Sequence, residues 1–140
     1  MTLQVTMMLC DYGQVADGKL FINGGGWSVV DAQTPPIGIA MIVMVPWDRA
    51  MAPLELEITL VDEDGHPVVQ GVEGARNPVR IDGRIEVQRP AAQPAGVPID
   101  VPLVIGVPPL QLAPFGRYAW QLRIDGQARE DWRLAFSTRG

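Results

Sequence analysis

Alternation of apolar and polar residues, interrupted by Asp-Gly pairs, constrains this chain more than any other feature. In the segment 54–62, Leu54, Leu56, Ile58 and Leu60 share one parity while Glu55, Glu57 and Thr59 share the other. Segment 117–125 repeats the pattern, with Tyr118, Trp120, Leu122 and Ile124 set against Arg117, Gln121, Arg123 and Asp125. Trp132, Leu134 and Phe136 follow in the same way. Strand side chains point to opposite faces in turn, so this period predicts half-buried strands. Segments 3–10, 19–24, 84–89 and 97–107 complete the predicted set, with Ile85 and Val87 buried in the third. In the last, Val97, Ile99, Val101, Leu103 and Ile105 are expected inside. Pro98 and Pro102 share the opposite face, as suits an edge strand.

Asp-Gly pairs occur at Asp17, Asp64, Asp82 and Asp125. Type I′ hairpin turns need positive φ, which this dipeptide supplies. The pairs at Asp64 and Asp125 predict hairpins joining 54–62 to 67–72 and 117–124 to 130–137. Those at Asp17 and Asp82 also read as turns. Little helix is expected beyond residues 47–52. The chain therefore reads as an all-β, antiparallel β-sandwich with Greek-key, immunoglobulin-like connections, forming a single domain over 1–140. Gly116 stands two residues before Tyr118, the spacing of a tyrosine corner.

Composition excludes several functions. The net charge is −5, which disfavours general nucleic-acid binding. Charge is unevenly spread: residues 1–75 hold ten acids against Lys19 and Arg49, whereas residues 76–140 hold nine Arg against six acids. Cys10 is the only cysteine, so no intrachain disulfide forms and a cytoplasmic setting is expected. The segment leading to Cys10 lacks the basic start and the small residue before cysteine of a lipoprotein signal, and is not expected to be one. The longest apolar run, 37–46, is too short for a membrane helix.

That run breaks the alternation. Ile37, Ile39, Met41, Val43 and Val45 can face a core, which leaves Gly38, Ala40, Ile42 and Met44 on a face with no polar residue. A sandwich strand ordinarily wets its outer face. Burial against a second copy or another protein is expected, with Met8, Ala40, Ile42 and Met44 as the interface; a covering loop such as 89–98 is the alternative. Only 19% of residues are charged, which agrees with some surface being covered.

Catalytic sets are hard to assemble. His66 is the only histidine, and neither Ser28 nor Ser137 lies in a nucleophile-elbow pattern. One Cys and one His do not make a zinc site. Counted from Asp62, the position where a calcium loop needs Gly holds Pro67. A looser site from Asp11, Asp17, Asp62 and Asp64 would need those turns to share one end. Glu55 and Glu57 on one strand face read as solvated. Of the four tryptophans, Trp120 and Trp132 have inward parity, leaving Trp27 and Trp47 for any stacking role. Neither metal nor cofactor is expected.

The segment Asp17–Trp27 reads DGKLFINGGGW. A phosphate loop would continue with Lys and Ser or Thr into a helix, and a dinucleotide loop would need a βαβ unit; neither follows here. Three glycines inside a β segment instead allow a bend or a close backbone approach. A ligand contact by Asp11, Tyr12 and Trp27 around this bend is the alternative.

These residues carry a resemblance. LCDYGQVADGKLFINGGGW together with FGRYAWQLRIDGQ is similar to a family of small uncharacterised bacterial all-β proteins that open on a DYA-x-V-x-DGKL-x-I-x-GGG motif. Asp11, Tyr12, Asp17, Gly18, Gly24, Gly25 and Gly26 occupy motif positions, while Gly13 replaces the usual alanine. The resemblance implies a compact domain and transfers no activity. The expected function is that of a non-catalytic, self-associating interaction or structural protein. The alternatives are a small-molecule or carbohydrate-binding module at the Gly-rich bend, and an enzyme built on Asp11, Tyr12, Asp17 and His66.

Overall fold

Alternating segments need a second apolar face to pack against, and this chain supplies one from its own strands. A computed structural model describes residues 3–71 and 74–140. Along it run β1 (Gln4–Ala16), β2 (Lys19–Gly25), β3 (Val29–Asp31), β4 (Ile37–Val45), β5 (Leu54–Asp62), β6 (Val69–Gln70), β7 (Asn77–Pro78), β8 (Arg80–Ile85), β9 (Ile99–Val107), β10 (Arg117–Ile124) and β11 (Gln127–Arg139). A 3-10 turn (Trp47–Arg49) is all that forms of the expected 47–52 helix.

The protein is all-β, with three sheets. A four-stranded sheet runs β2-β1-β4-β9, a five-stranded sheet runs β3-β11-β10-β5-β8, and β6 pairs with β7 alone. Inner faces of the two larger sheets share one apolar core. Ile39, Met41 and Val43 enter it from β4, Leu54, Ile58 and Leu60 from β5, and Trp120 and Leu122 from β10, each at most 1% exposed. Trp132 and Phe136 join from β11, and Phe136 stacks on both Tyr118 and Trp120 with ring centroids 5.6 and 6.5 Å apart.

The sheets depart from the expected all-antiparallel arrangement. β3 pairs parallel with the end of β11, Ser137 opposite Val29 and Arg139 opposite Asp31, so the five-stranded sheet is mixed and curls into a half-barrel. Asp17-Gly18 and Asp125-Gly126 make the predicted turns, all four residues having positive φ. Asp125 does more than turn the chain. Its carboxylate accepts the Glu55 N–H at 2.9 Å and binds Arg49 at 2.5 Å, tying the hairpin to the 3-10 turn. Asp82-Gly83 is no turn: both residues lie inside β8, paired with Glu57 and Leu56. Beyond Asp64-Gly65 the return strand shrinks to a bridge from Pro67 to Val61 and the short β6; Val72, within the predicted strand, lies outside the described residues. Val97 lies outside β9 and is 43% exposed, whereas Ile99 is buried and Val101, Leu103 and Ile105 are half-buried. β9 is an edge strand, as Pro102 requires.

Tyr118 Oη accepts the Ala113 N–H at 3.0 Å, the bond that the Gly116/Tyr118 spacing predicts. Tyr118→Phe strands that N–H and is expected to cost about 1 kcal/mol. Urea unfolding should show a lower midpoint with an unchanged slope; an unchanged midpoint would mean that water replaces the phenol without loss.

Candidate functional site: the cleft beneath the first hairpin

β1 serves two partners in succession. Gln4–Cys10 pairs with β4, Cys10 also faces Gly25 of β2, and from Tyr12 to Ala16 the strand pairs with β2 alone. Freed of β4, the hairpin bends back so that β2 approaches β9 across the sheet. Glycines permit the bend. Gly38 has no side chain where Cys10 needs room: the Cys10 Sγ is 2.9 Å from the place a Cβ would take, and it donates a long bond of 3.5 Å to the Gly38 carbonyl. A Cβ at Gly13 would lie 3.1 Å from Val104 Cγ2, so the hairpin rests directly on β9.

The Gly-rich segment completes the bend. Gly24 has φ +60°, and the Asp11 carboxylate occupies the space of its missing Cβ. Gly25 gives way to Ile22 and Met8, while Gly26, with φ +89°, donates its N–H to Leu9 at 2.8 Å. The three glycines therefore serve backbone approach.

Between hairpin and β9 lies a cleft of about 740 Å³. Its hairpin wall is Asp11, Tyr12, Gly13, Gln14 and Val15, and its floor includes Gly38, Pro102, Val104 and Gly106. Tyr12 is 58% exposed, with its hydroxyl 3.3 Å from Gln14 Oε1. An apolar floor beside a wall that carries the Asp11 carboxylate suits a small, largely apolar molecule with one polar end. Cys10 lies buried behind it, its thiol pKa raised by burial and then by the nearby Asp11 charge; it is no activated nucleophile.

The structure brings together two of the three ligand residues expected from sequence. Asp11 and Tyr12 line the cleft. Trp27 does not: it packs half-buried against the core with its indole N–H buried. Trp47 is likewise engaged, under the Arg89 guanidinium at 4.4 Å. Asp62, Asp64 and His66 have donor atoms within 4.8 Å of one another, but Asp11 and Asp17 join no such group among the described residues. Asp62 Oδ1 accepts the N–H groups of Asp64 and His66, both at 2.9 Å, which is turn chemistry.

The outer face of β4 is partly covered within the chain itself. Gly38 is buried, and Ala40 is only 1% exposed between its register partners Met8 and Val104. Ala40 therefore leaves the expected interface. Met8 and Ile42 are half-buried, and Met44 is 36% exposed. The cover comes from β1 and β9 themselves, whereas the 89–98 loop was the expected alternative. Gln14, Val15, Pro102 and Gly106 were missed as cleft residues. Their only local sign is a glycine inside each of two apolar strands, Gly38 and Gly106; that they stand opposite one another is set by the register.

The model of a family of unknown function, DUF6941, matches residues 5–137. The chain belongs to DUF6941. The match spans the cleft, the hairpin and both large sheets. No curated protein matches this DUF6941 chain.

Gly24→Ala is expected to destabilise the fold by about 2 kcal/mol, from the left-handed backbone and the displaced Asp11 carboxylate. Combined with Asp11→Ala, only the backbone part should remain, giving a coupling of about 1 kcal/mol in a double-mutant cycle. Additive losses in urea melts would show that the two residues do not share the space.

Proposed function

We propose that this DUF6941 protein is a non-catalytic interaction module that associates with copies of itself. The observation that carries the reading is the set of large side chains held outward on well-anchored elements. Tyr12 and Phe21 stand on the first hairpin, 58% and 50% exposed, and Phe115 is 81% exposed on the loop before β10. Exposed aromatics on rigid supports lose little conformational entropy on binding and are the usual energetic centres of protein interfaces. The half-covered strip of Met8, Ile42 and Met44 adds adaptable apolar surface.

The two large sheets with their common core and the Tyr118–Ala113 bond support an immunoglobulin-like sandwich as the finer description of the fold. The DYG and GGG segments support identifying DUF6941 with the small bacterial family that they resemble. A lone, buried Cys10 and a net charge of −5 support a cytoplasmic protein that binds neither nucleic acid nor membrane.

Light scattering across roughly 1 to 100 μM is the test, a range that brackets micromolar self-association. A mass above 15.2 kDa that falls on dilution is expected. A constant monomer mass throughout would overturn the proposal.

The cleft favours a second reading, a small-molecule site on Asp11 and Tyr12. The carbohydrate version is weakened because Trp27 stands outside. Gly106 lines the cleft, has open space at its Cβ position and lacks a left-handed φ, so Gly106→Leu should fill the cleft without strain. The dye ANS should gain fluorescence on the native protein and lose most of the gain in this variant. An undiminished gain would place the dye elsewhere and sink the reading.

A further inference from the structure

Phe115 is the most exposed large apolar side chain among the described residues, and its backbone has φ +55°. A residue with a Cβ pays for this region with backbone strain, on the order of 1 kcal/mol. The loop is pinned on both sides of it. Ala113 N–H is held by the Tyr118 phenol at 3.0 Å, and Ala113 C=O accepts from Thr138 Oγ1 at 2.6 Å. Gly116 N–H donates to the same Thr138 oxygen at 2.9 Å, and Gly116 C=O accepts the Thr138 N–H at 3.0 Å. Thr138 is itself 4% exposed, one of the two buried polar residues of the described chain. The ring rests on Gly140 at its edge and is otherwise open to solvent. The loop thus presents one aromatic ring to solvent in a fixed position.

Elsewhere the molecule has an apolar opening of matching kind. β8 and β9 are each an edge strand of one of the two large sheets, and between them lies a slot of about 320 Å³. Leu56, Ile81, Ile85, Val101, Leu103 and Ile105 line it, three of them the half-buried residues on the inner face of β9. Asp82, Arg84 and Glu86 stand at its mouth. Asp82 is paired with Arg80 at 3.1 Å and Glu86 with Arg84 at 3.2 Å. With Glu55 and Glu57 the cluster holds four carboxylates against two guanidinium groups, an excess of negative charge. Arg117, two residues beyond Phe115, forms no ion pair among the described residues. A ring followed by a free cation faces, in shape and in charge, an apolar slot with an acidic rim.

We propose that Phe115 of one copy inserts into the slot between β8 and β9 of a second copy, with Arg117 against the Asp82 and Glu86 carboxylates. The proposal rests on the self-association reading and names its contact. Knob and slot are different patches of the same chain, so each copy offers one of each. The contact is heterologous, and repeated it builds a chain or closes a ring.

Two variants test it. Phe115→Asn removes the ring while keeping a residue at ease in the left-handed region. Gly83→Phe plugs the slot: Gly83 shares the inward parity of Ile81 and Ile85, lines the slot, and has nothing within 4 Å of its Cβ position. Circular dichroism melts establish that both fold. Each variant alone is expected to associate at least about thirtyfold more weakly than the parent chain, as loss of a central aromatic anchor does. Mixed in equal amounts they should recover a single contact, the ring of the Gly83→Phe chain in the open slot of the Phe115→Asn chain. Light scattering would then give twice the monomer mass and nothing larger. If the parent chain associates and Phe115→Asn associates equally well, this contact is wrong and self-association stands. If the mixture fails to pair, the slot is not the ring's partner. A parent chain that stays monomeric overturns both.

Discussion

The contact between Cys10 and Gly38 governs the outer side of the four-stranded sheet. Because Gly38 has no side chain, the Cys10 sulfur sinks to 2.9 Å from the Cβ position and β1 can leave its partner there. Every later feature of that side follows: the hairpin leans on Val104, the cleft opens between them, and Asp11 and Tyr12 become its wall. A β-branched residue at position 38 would push β1 away, leave the strand straight and expose the apolar face it now covers.

This resolves how a chain with only 19% charged residues can carry a strand that is apolar on both faces. The inner face of β4 meets the opposite sheet, and on the outer face Ala40 is covered by Met8 of β1 and Val104 of β9 while Met44 stays exposed. Large beside small across a sheet gives dense cover without a helix. The exposed aromatic side chains are at the extremities, on the first hairpin and the loop before β10, while Val29, Met44, Met51, Val69 and Val97 are exposed elsewhere.

Strand identity was readable from sequence because period two and Asp-Gly turns are local signals. Leu54–Asp62, Arg117–Ile124 and the inward set of β11 emerged as expected. Asp82-Gly83 misled, since the same dipeptide fits an edge strand once Leu56 and Glu57 supply its register. Trp27 is expected with Asp11 and Tyr12 around the Gly-rich bend, but the chain turns at Gly24 and Gly26, both at positive φ, and the indole packs against the core instead. The cleft itself was not readable, because it depends on a register that sets Gly38 opposite both Cys10 and Gly106, a long-range fact. Nothing in the sequence singles out Phe115, because its loop is held by Thr138, which comes from the far end of β11.

The parallel pairing of β3 with β11 also bears on how the molecule comes to be made. Asp31 and Arg139 form an ion pair across a separation of 108 residues. While the chain is being synthesised, β3 has no neighbour to bond until nearly everything else has emerged, and its backbone groups wait in water. Contacts of such separation form late and slowly. The growing polypeptide therefore passes through a period in which the rim of the half-barrel is open. In that interval it is most exposed to wrong pairing with other nascent chains and most in need of a chaperone's shelter.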